Sequence, residues 1–263
     1  MIDWLHDLPP LQGAALVICV FLLPTLIGSI LFQPMVGWLV SREKNANTPV
    51  GFLLNAFTLY YGVLLALLSI AVFENYNKAE DAIAREASSL IALYRNVIGY
   101  PEPMRASLVD NLRRYVEEET TPAAWRARSP DEFSTAGTSL VDEINRQLVT
   151  FKPEDQSRDE ALHAATLRSF NDFIGRRRER IQAMSTSIPP VIWYVVLIGA
   201  ALNAFVLWLF DLSRVTHLIL GGVLSFFIGL VIYMVAALDD PFRGAHGLGP
   251  DYLLYAHERM RPL

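Results

Sequence analysis

The chain has 263 residues, of which 52% are hydrophobic and 19% are charged, and its formal net charge is −5 at pH 7. This composition is more apolar than that of an average soluble domain, and the mild acidity argues against nucleic-acid binding as a main activity. The single cysteine, Cys19, excludes an internal disulfide and gives little support to redox chemistry.

Four stretches of the chain carry no Asp, Glu, Lys or Arg, and they cover residues 11–32, 50–73, 188–210 and 218–238. At ~1.5 Å rise per residue, each is long enough to cross a hydrocarbon core of ~30 Å. A helix that is apolar on all sides must be buried or lie in lipid. The pattern predicts an all-α, polytopic membrane protein with four transmembrane helices. Residues 1–10 lack Lys and Arg, so the first span is interpreted as a retained anchor rather than a signal peptide.

The spans form two hairpins, 1–73 and 188–238, separated by a polar helical domain, 74–187, and followed by a tail, 239–263. Span two has no Gly or Pro after Phe73 until Gly99, which predicts one helix that continues beyond the membrane. Apolar residues recur on its extension from Tyr76 to Val97 and predict a seam between helices or between subunits. Further helices are expected at 103–120, 139–151 and 154–186, with Trp125 docked from a loop.

The distribution of basic residues predicts the orientation. One side of the membrane receives ten Lys or Arg residues near the span ends and the other side three. The ten are Lys78, Arg85, Arg168, Arg176, Arg177, Arg178, Arg180, Arg243, Arg259 and Arg261, and the three are Arg42, Lys44 and Arg214. By the positive-inside rule, we expect both termini and the helical domain to be cytoplasmic. The membrane is expected to be the plasma (inner) membrane.

Sequence motifs of soluble enzymes are absent. The chain has no Gly-rich phosphate loop, HExxH, CxxC or GxSxG, and its five histidines have no helical-spacing partner for a metal site. The sequence therefore predicts no enzymatic activity, no metal site and no cofactor.

Span two carries a stripe of small and weakly polar residues at spacings of three and four, with a phenylalanine beyond each end. Small polar side chains can line a water-filled pore, but they also allow close packing of helices, and the sequence leaves both interpretations open. The candidate pore-lining residues are Phe52, Asn55, Thr58, Gly62, Ala66, Ser69 and Phe73.

The other two polar patterns within the spans favour helix packing. Gly221, Ser225 and Gly229 in span four form a small-xxx-small row, which is typical of close helix contact. Asn203 in span three is a polar group at mid-depth and needs a partner on another helix.

Two charged groups lie at the cytoplasmic boundary. Arg176, Arg177, Arg178 and Arg180 precede span three, and they are interpreted either as a lipid-headgroup anchor or as a vestibule that concentrates anions. Asp240 and Arg243 follow span four around a helix-stopping proline, so that they form either a stop signal or a latch at the cytoplasmic exit.

Several short motifs together resemble a family of bacterial bestrophin-like membrane proteins. They are Leu59-Tyr60-Tyr61-Gly62-Val63-Leu64-Leu65-Ala66, Tyr76, Arg85-Glu86-Ala87-Ser88, Leu93-Tyr94-Arg95, the Arg176–Arg178 cluster, Ile188-Pro189 with Trp193, and Asp240-Pro241-Phe242-Arg243-Gly244. The resemblance implies a four-span protein with a cytoplasmic helical insert. By similarity to true bestrophins, it also implies a ring, most often a pentamer, around an anion pore lined by span two. The acidic calcium clasp of animal bestrophins has no counterpart beyond Asp239 and Asp240.

Two functions from different classes follow. The first is an oligomeric ion channel, anion-conducting and bestrophin-like, whose partners are the lipid bilayer, further copies of the chain and small inorganic ions such as chloride. The second is a non-conducting membrane scaffold or sensor whose cytoplasmic helical domain binds a partner. A ring with the span-two stripe facing a water-filled axis favours the channel, whereas packing of that stripe against spans one or four favours the scaffold.

Overall fold

A computed structural model describes residues 3–40, 47–121, 125, 137–153 and 158–260, with the side chains of 3–4, 33–40 and 158 left undescribed. Within these residues every regular element is an α-helix, which confirms the all-α prediction. The helices are α1 Asp3–His6, α2 Pro10–Val40, α3 Asn47–Val97, α4 Met104–Thr120, α5 Thr138–Thr150, α6 Arg158–Met184, α7 Pro190–Trp208, α8 Arg214–Leu238 and α9 Asp251–Arg259.

Four of these helices, α2, α3, α7 and α8, are long and apolar enough to cross a membrane by length and composition. Their outward surfaces carry large apolar side chains such as Leu23, Leu67 and Phe227, which water would disfavour and lipid accepts. The protein is therefore a multi-pass membrane protein. Helix α3 has 51 residues and a length of about 75 Å, because no Gly or Pro interrupts it between Gly62 and Gly99.

The chain divides into two compact units, each with its own core. The first, termed the membrane unit, comprises residues 1–74, 187–240 and 244–246. The second, termed the helical unit, comprises residues 75–186, 241–243 and 247–263.

Close contact between α2 and α8 organises the membrane unit. A Cβ placed on Gly229 would lie 2.9 Å from Ile18 Cα, and one on Gly221 would lie 3.5 Å from Thr25 Cγ2. The prediction that the small residues of span four serve packing is thus confirmed. On the same unit, a Cβ on Gly28 would lie 2.1 Å from the Trp208 ring, so only glycine leaves room for the indole there.

The apolar stripe on the second part of α3 forms the core of the helical unit. Ala79, Ile83, Leu90 and Val97 are buried there, so the stripe serves as a seam between helices of one chain. Opposite it pack buried side chains from the other helices of this unit, which include Leu108, Leu112, Ile144, Leu148, Phe170 and Phe173.

The C-terminal segment differs from the sequence prediction of a separate tail, 239–263. Leu253 and Ala256 of α9, together with Met260, are buried in the core of the helical unit. Trp125 is buried as predicted, and its indole nitrogen donates a hydrogen bond to the Leu248 carbonyl over 2.7 Å. The segment belongs to this unit because its apolar residues, at spacings of three and four, need a surface to cover them.

Candidate functional site

Helix α3 presents three faces within the membrane unit. Tyr61, Leu65, Leu68 and Val72 are buried against the rest of the unit, and the Tyr61 hydroxyl donates a hydrogen bond to the Val196 carbonyl over 3.0 Å. At about 100° per residue, a second face carries the predicted small-residue stripe. A third face carries large, exposed apolar side chains, which are Leu53, Tyr60, Val63 and Leu67.

The small-residue stripe is largely exposed in the protomer. Asn55, Gly62 and Ala66 are exposed, and a Cβ on Gly62 would meet no atom within 4 Å. Phe52 and Phe73, at the two ends of the stripe, are 72% and 57% exposed. The protomer itself therefore does not use this part of the stripe as a packing seam.

One edge of the stripe contacts α7. The Thr58 hydroxyl donates a hydrogen bond to Asn203 Oδ1 over 3.1 Å, and the Asn203 amide nitrogen donates to the Gly199 carbonyl over 3.0 Å. This confirms the prediction that Asn203 finds a partner on another helix. Ser69 is half-buried and donates to the Leu65 carbonyl of its own helix. Whether the exposed remainder lines a pore stays a prediction at this point.

The four arginines of the predicted vestibule fall into two groups. Arg178 is exposed, and Arg176 is 34% exposed and paired with Glu179 over 3.1 Å. Arg177 is only 11% exposed, and its guanidinium donates to Thr138 Oγ1 over 3.2 Å. Arg180 has no exposed side-chain surface.

Arg180 lies at the centre of a buried charge network in the helical unit. Its guanidinium donates to both carboxylate oxygens of Glu86, to Glu119 Oε2 over 2.9 Å and to the Tyr115 hydroxyl over 3.4 Å. The Tyr115 hydroxyl in turn donates to Glu86 Oε1, and the Arg180 guanidinium lies 5.7 Å from the centroid of the Trp125 ring. Because its side chain is buried, Arg180 is not one of the exposed arginines at this position.

Burial and charge set the protonation states of this network. Burial and the nearby Glu86 carboxylate hold the pKa of Tyr115 well above its ordinary value, so the hydroxyl stays protonated and able to donate. Burial alone would lower the pKa of Arg180, but attraction to Glu86 and Glu119 outweighs it and holds the pKa well above the ordinary value. Tyr115 thus stays neutral and Arg180 stays charged, which suits the network to a structural role.

A second polar arrangement lies where α8 ends and α7 begins, within the membrane unit. Asp239 Oδ1 accepts a hydrogen bond from the Ile188 backbone N–H over 2.7 Å, and Oδ2 accepts one from Trp193 Nε1 over 3.3 Å. The predicted latch residues Asp240 and Arg243 are half-buried, and their role as a latch stays a prediction.

The sequence profile of the Bestrophin-like domain matches residues 19–253, which is most of the chain. This chain belongs to the bestrophin-like family. Family membership supports a channel-like rather than an enzymatic role for this bestrophin-like membrane protein.

Solved structures share the fold at low sequence identity. A variant of a bacterial bestrophin homolog from Klebsiella pneumoniae gives a TM-score of 0.70 at 12% identity, with 92% of this chain and 97% of the other covered. Another crystal structure of the Klebsiella homolog, phased with zinc, gives 0.67 at 13% identity with the same coverage. No curated protein matches the bestrophin-like chain. At these identities the structures establish the fold.

Sequence reasoning missed the partners of three carboxylates in this bestrophin-like protein. Glu86 follows Ile83 by three residues on the apolar face of α3, and Glu119 follows Tyr115 by four on the apolar face of α4. An acidic residue at a core position signals a buried partner of opposite charge, and that signal was present. Asp239 carried no such signal, because its donors lie some fifty residues earlier in the chain.

Proposed function

We propose that this bestrophin-like protein assembles as a homo-oligomer around an ion pathway that the small-residue stripe of α3 lines. The observation that carries the proposal is the exposure of Asn55, Gly62 and Ala66 on a helix of the membrane unit. An amide facing lipid is costly, so this face needs water or a further copy of the chain as its neighbour. The adjacent face, with Leu67, suits lipid without such a neighbour.

The proposed ring is a pentamer in the inner membrane that conducts small inorganic anions such as chloride. Arg178 supports the choice of anions, because an exposed cation in an aqueous vestibule raises the local concentration of negative ions. Arg176 contributes less, since it is partly exposed and paired with Asp172 and Glu179. The buried Arg180 and the largely buried Arg177 are not available for this role within the protomer. Phe52 and Phe73 would form apolar collars that close by dewetting when they are narrow.

Bulk added to the stripe should block current without preventing assembly. Gly62→Trp and Ala66→Trp each place an indole in the proposed pathway, and we expect the current of purified protein in lipid bilayers to fall at least about tenfold, since a pore that dewets stops conducting. The matched control is Leu67→Trp, because Leu67 is 62% exposed on the neighbouring face and lies next to Ala66. Leu64 is unsuitable as a control since it packs against the core of the membrane unit.

The recordings need the oligomeric state of each variant beside them. If Gly62→Trp breaks the oligomer while Leu67→Trp alters current, the stripe is a subunit seam and the pore is elsewhere. A monomer or dimer that carries no current would favour the non-conducting scaffold instead of the channel.

Neutralising Arg178 with glutamine should lower the anion current in dilute salt. The effect should vanish at high salt, where the screening length falls to about 3 Å.

The orientation is tested by two exposed positions in a Cys19→Ala background. Val149→Cys in α5 and Val215→Cys in α8 are 71% and 68% exposed, so differences in labelling cannot come from burial. With a cytoplasmic helical unit, an impermeant thiol reagent should label Val215→Cys on intact cells and label Val149→Cys only after lysis. The reverse pattern would overturn the proposed topology.

A further inference from the structure

Asp239 uses both of its carboxylate oxygens to hold two donors that cannot accept a hydrogen bond. The Ile188 N–H lies two residues before α7, and the Trp193 indole N–H lies in its first turn. Ile188 and Trp193 are buried at 7% and 4% exposure, so water competes little for either donor. The carboxylate thereby fastens the end of α8 to the beginning of α7.

We propose that Asp239 is a proton-operated latch, closed while its carboxylate is ionised and opened when the carboxylate takes up a proton. A proton on Oδ2 would face the indole N–H, and a proton on Oδ1 would face the Ile188 N–H. Backbone and indole nitrogens of this kind only donate, so the added O–H finds no acceptor in either of them, and the protonated oxygen loses its negative charge and one of its lone pairs. The two hydrogen bonds then lose their charge assistance, and the Trp193 bond, which is the longer at 3.3 Å, is the one expected to open.

The surroundings of Asp239 place its titration at higher pH than that of an exposed aspartate. Burial raises the pKa of Asp239, and the neighbouring Asp240 carboxylate raises it further. The hydrogen bonds from Ile188 and Trp193 lower the pKa, as does His6 of α1, but the net result is a raised pKa. Residues 187–193, which include the start of α7 and the segment before it, contain no ionisable side chain. Asp240 and His6 are therefore the charged groups that tune the latch.

The direction of the pKa shift of Asp239 predicts how its hydrogen bond with Trp193 responds to pH. Because the pKa of Asp239 is raised by folding, the folded protein takes up the proton at a higher pH than the unfolded chain does. By linkage, this group alone makes the folded state more stable relative to the unfolded state as pH falls through the raised pKa. Acidification should accordingly release Trp193 from Asp239 while the helices stay folded.

The test is the fluorine NMR spectrum of the full chain in detergent, with 5-fluorotryptophan in place of tryptophan, recorded as pH is lowered. The Trp193 resonance, assigned by its loss in Trp193→Phe, should move through one titration with a midpoint above the ~3.9 of an exposed aspartate. Asp239→Asn, whose neutral amide mimics the protonated acid, should fix this resonance near its acid position at every pH. Far-UV circular dichroism should stay constant through the titration.

Two further variants keep the test decisive if Asp239→Asn fails to fold. Asp240→Asn removes the carboxylate that raises the pKa and should shift the midpoint to lower pH. His6→Gln removes the group that lowers the pKa and should shift the midpoint to higher pH. A Trp193 resonance that ignores pH, or a midpoint that neither variant moves, would overturn the latch. None of these measurements uses ion current, so the latch and the proposed channel can fail separately.

Discussion

Replacement of Arg180 by methionine is expected to lower the free energy of unfolding of the helical unit by about 3–5 kcal/mol, which is the cost of removing one partner from a buried ion pair. Methionine keeps most of the side-chain stem but removes the guanidinium. Glu86 and Glu119, both without exposed side-chain surface, would then be left as buried carboxylates that have lost this cation. Loss of the charge, rather than loss of volume, dominates this effect.

Hydrogen exchange of the full chain in detergent measures this change on α4 and α6. Arg178→Met is the matched control, since Arg178 is exposed on the same helix, and exposed substitutions of this kind stay within about 0.5 kcal/mol. A triple variant, Arg180→Met with Glu86→Gln and Glu119→Gln, should regain part of the stability because the two carboxylates that lost Arg180 are then neutral. The regain is only partial because Arg177, 3.9 Å from Glu119, loses that carboxylate. Equal protection of α4 and α6 from hydrogen exchange in Arg180→Met and Arg178→Met would contradict this prediction.

Gly28→Ala is expected to destabilise the membrane unit by about 1–3 kcal/mol, the usual cost of overpacking. The added methyl would lie 2.1 Å from Trp208 Cζ2, so the indole must move. Its present position is held by a hydrogen bond from Nε1 to the Thr25 carbonyl over 3.0 Å and by a stack on Phe32 with ring centroids 5.0 Å apart. Movement of the ring costs both contacts.

The matched control for this change is Gly62→Ala. It adds the same methyl to a helix of the same unit, and no atom lies within 4 Å of the new carbon. Alanine is also the better helix former by about 1 kcal/mol, so Gly62→Ala should leave the thermal unfolding midpoint of the detergent-purified protein equal or higher. Gly28→Ala should lower that midpoint, and equal midpoints for the two variants would show that Trp208 moves at no cost.

The sequence determined the helical class, the apolar segments and the limits of most helices. It could do so because helix periodicity, uncharged length and the positions of Gly and Pro are local properties of the chain. The continuous helix α3 and the packing role of Gly221, Ser225 and Gly229 followed from the same local patterns. A profile of family motifs then added the bestrophin-like assignment.

The tertiary structure decided which residues of a local pattern act together. Arg176 and Arg180 are equivalent in sequence, yet one is partly exposed and the other is enclosed by Glu86, Tyr115 and Glu119, because only one of them faces the core. From the sequence, residues 251–260 were predicted to belong to a tail. In the structure their apolar side chains are buried, because the helical unit provides the surface that covers them.

The hydrogen bonds of Asp239 were also decided by the tertiary structure. In sequence it is one of two acidic residues after a span, and Asp240 and Arg243 were the more conspicuous candidates. Folding brings Ile188 and Trp193 to Asp239, from 51 and 46 residues away in the chain. Local patterns specify which residues can form a helix, but hydrogen bonds and ion pairs between distant residues depend on how the helices pack, and only the folded chain fixes that.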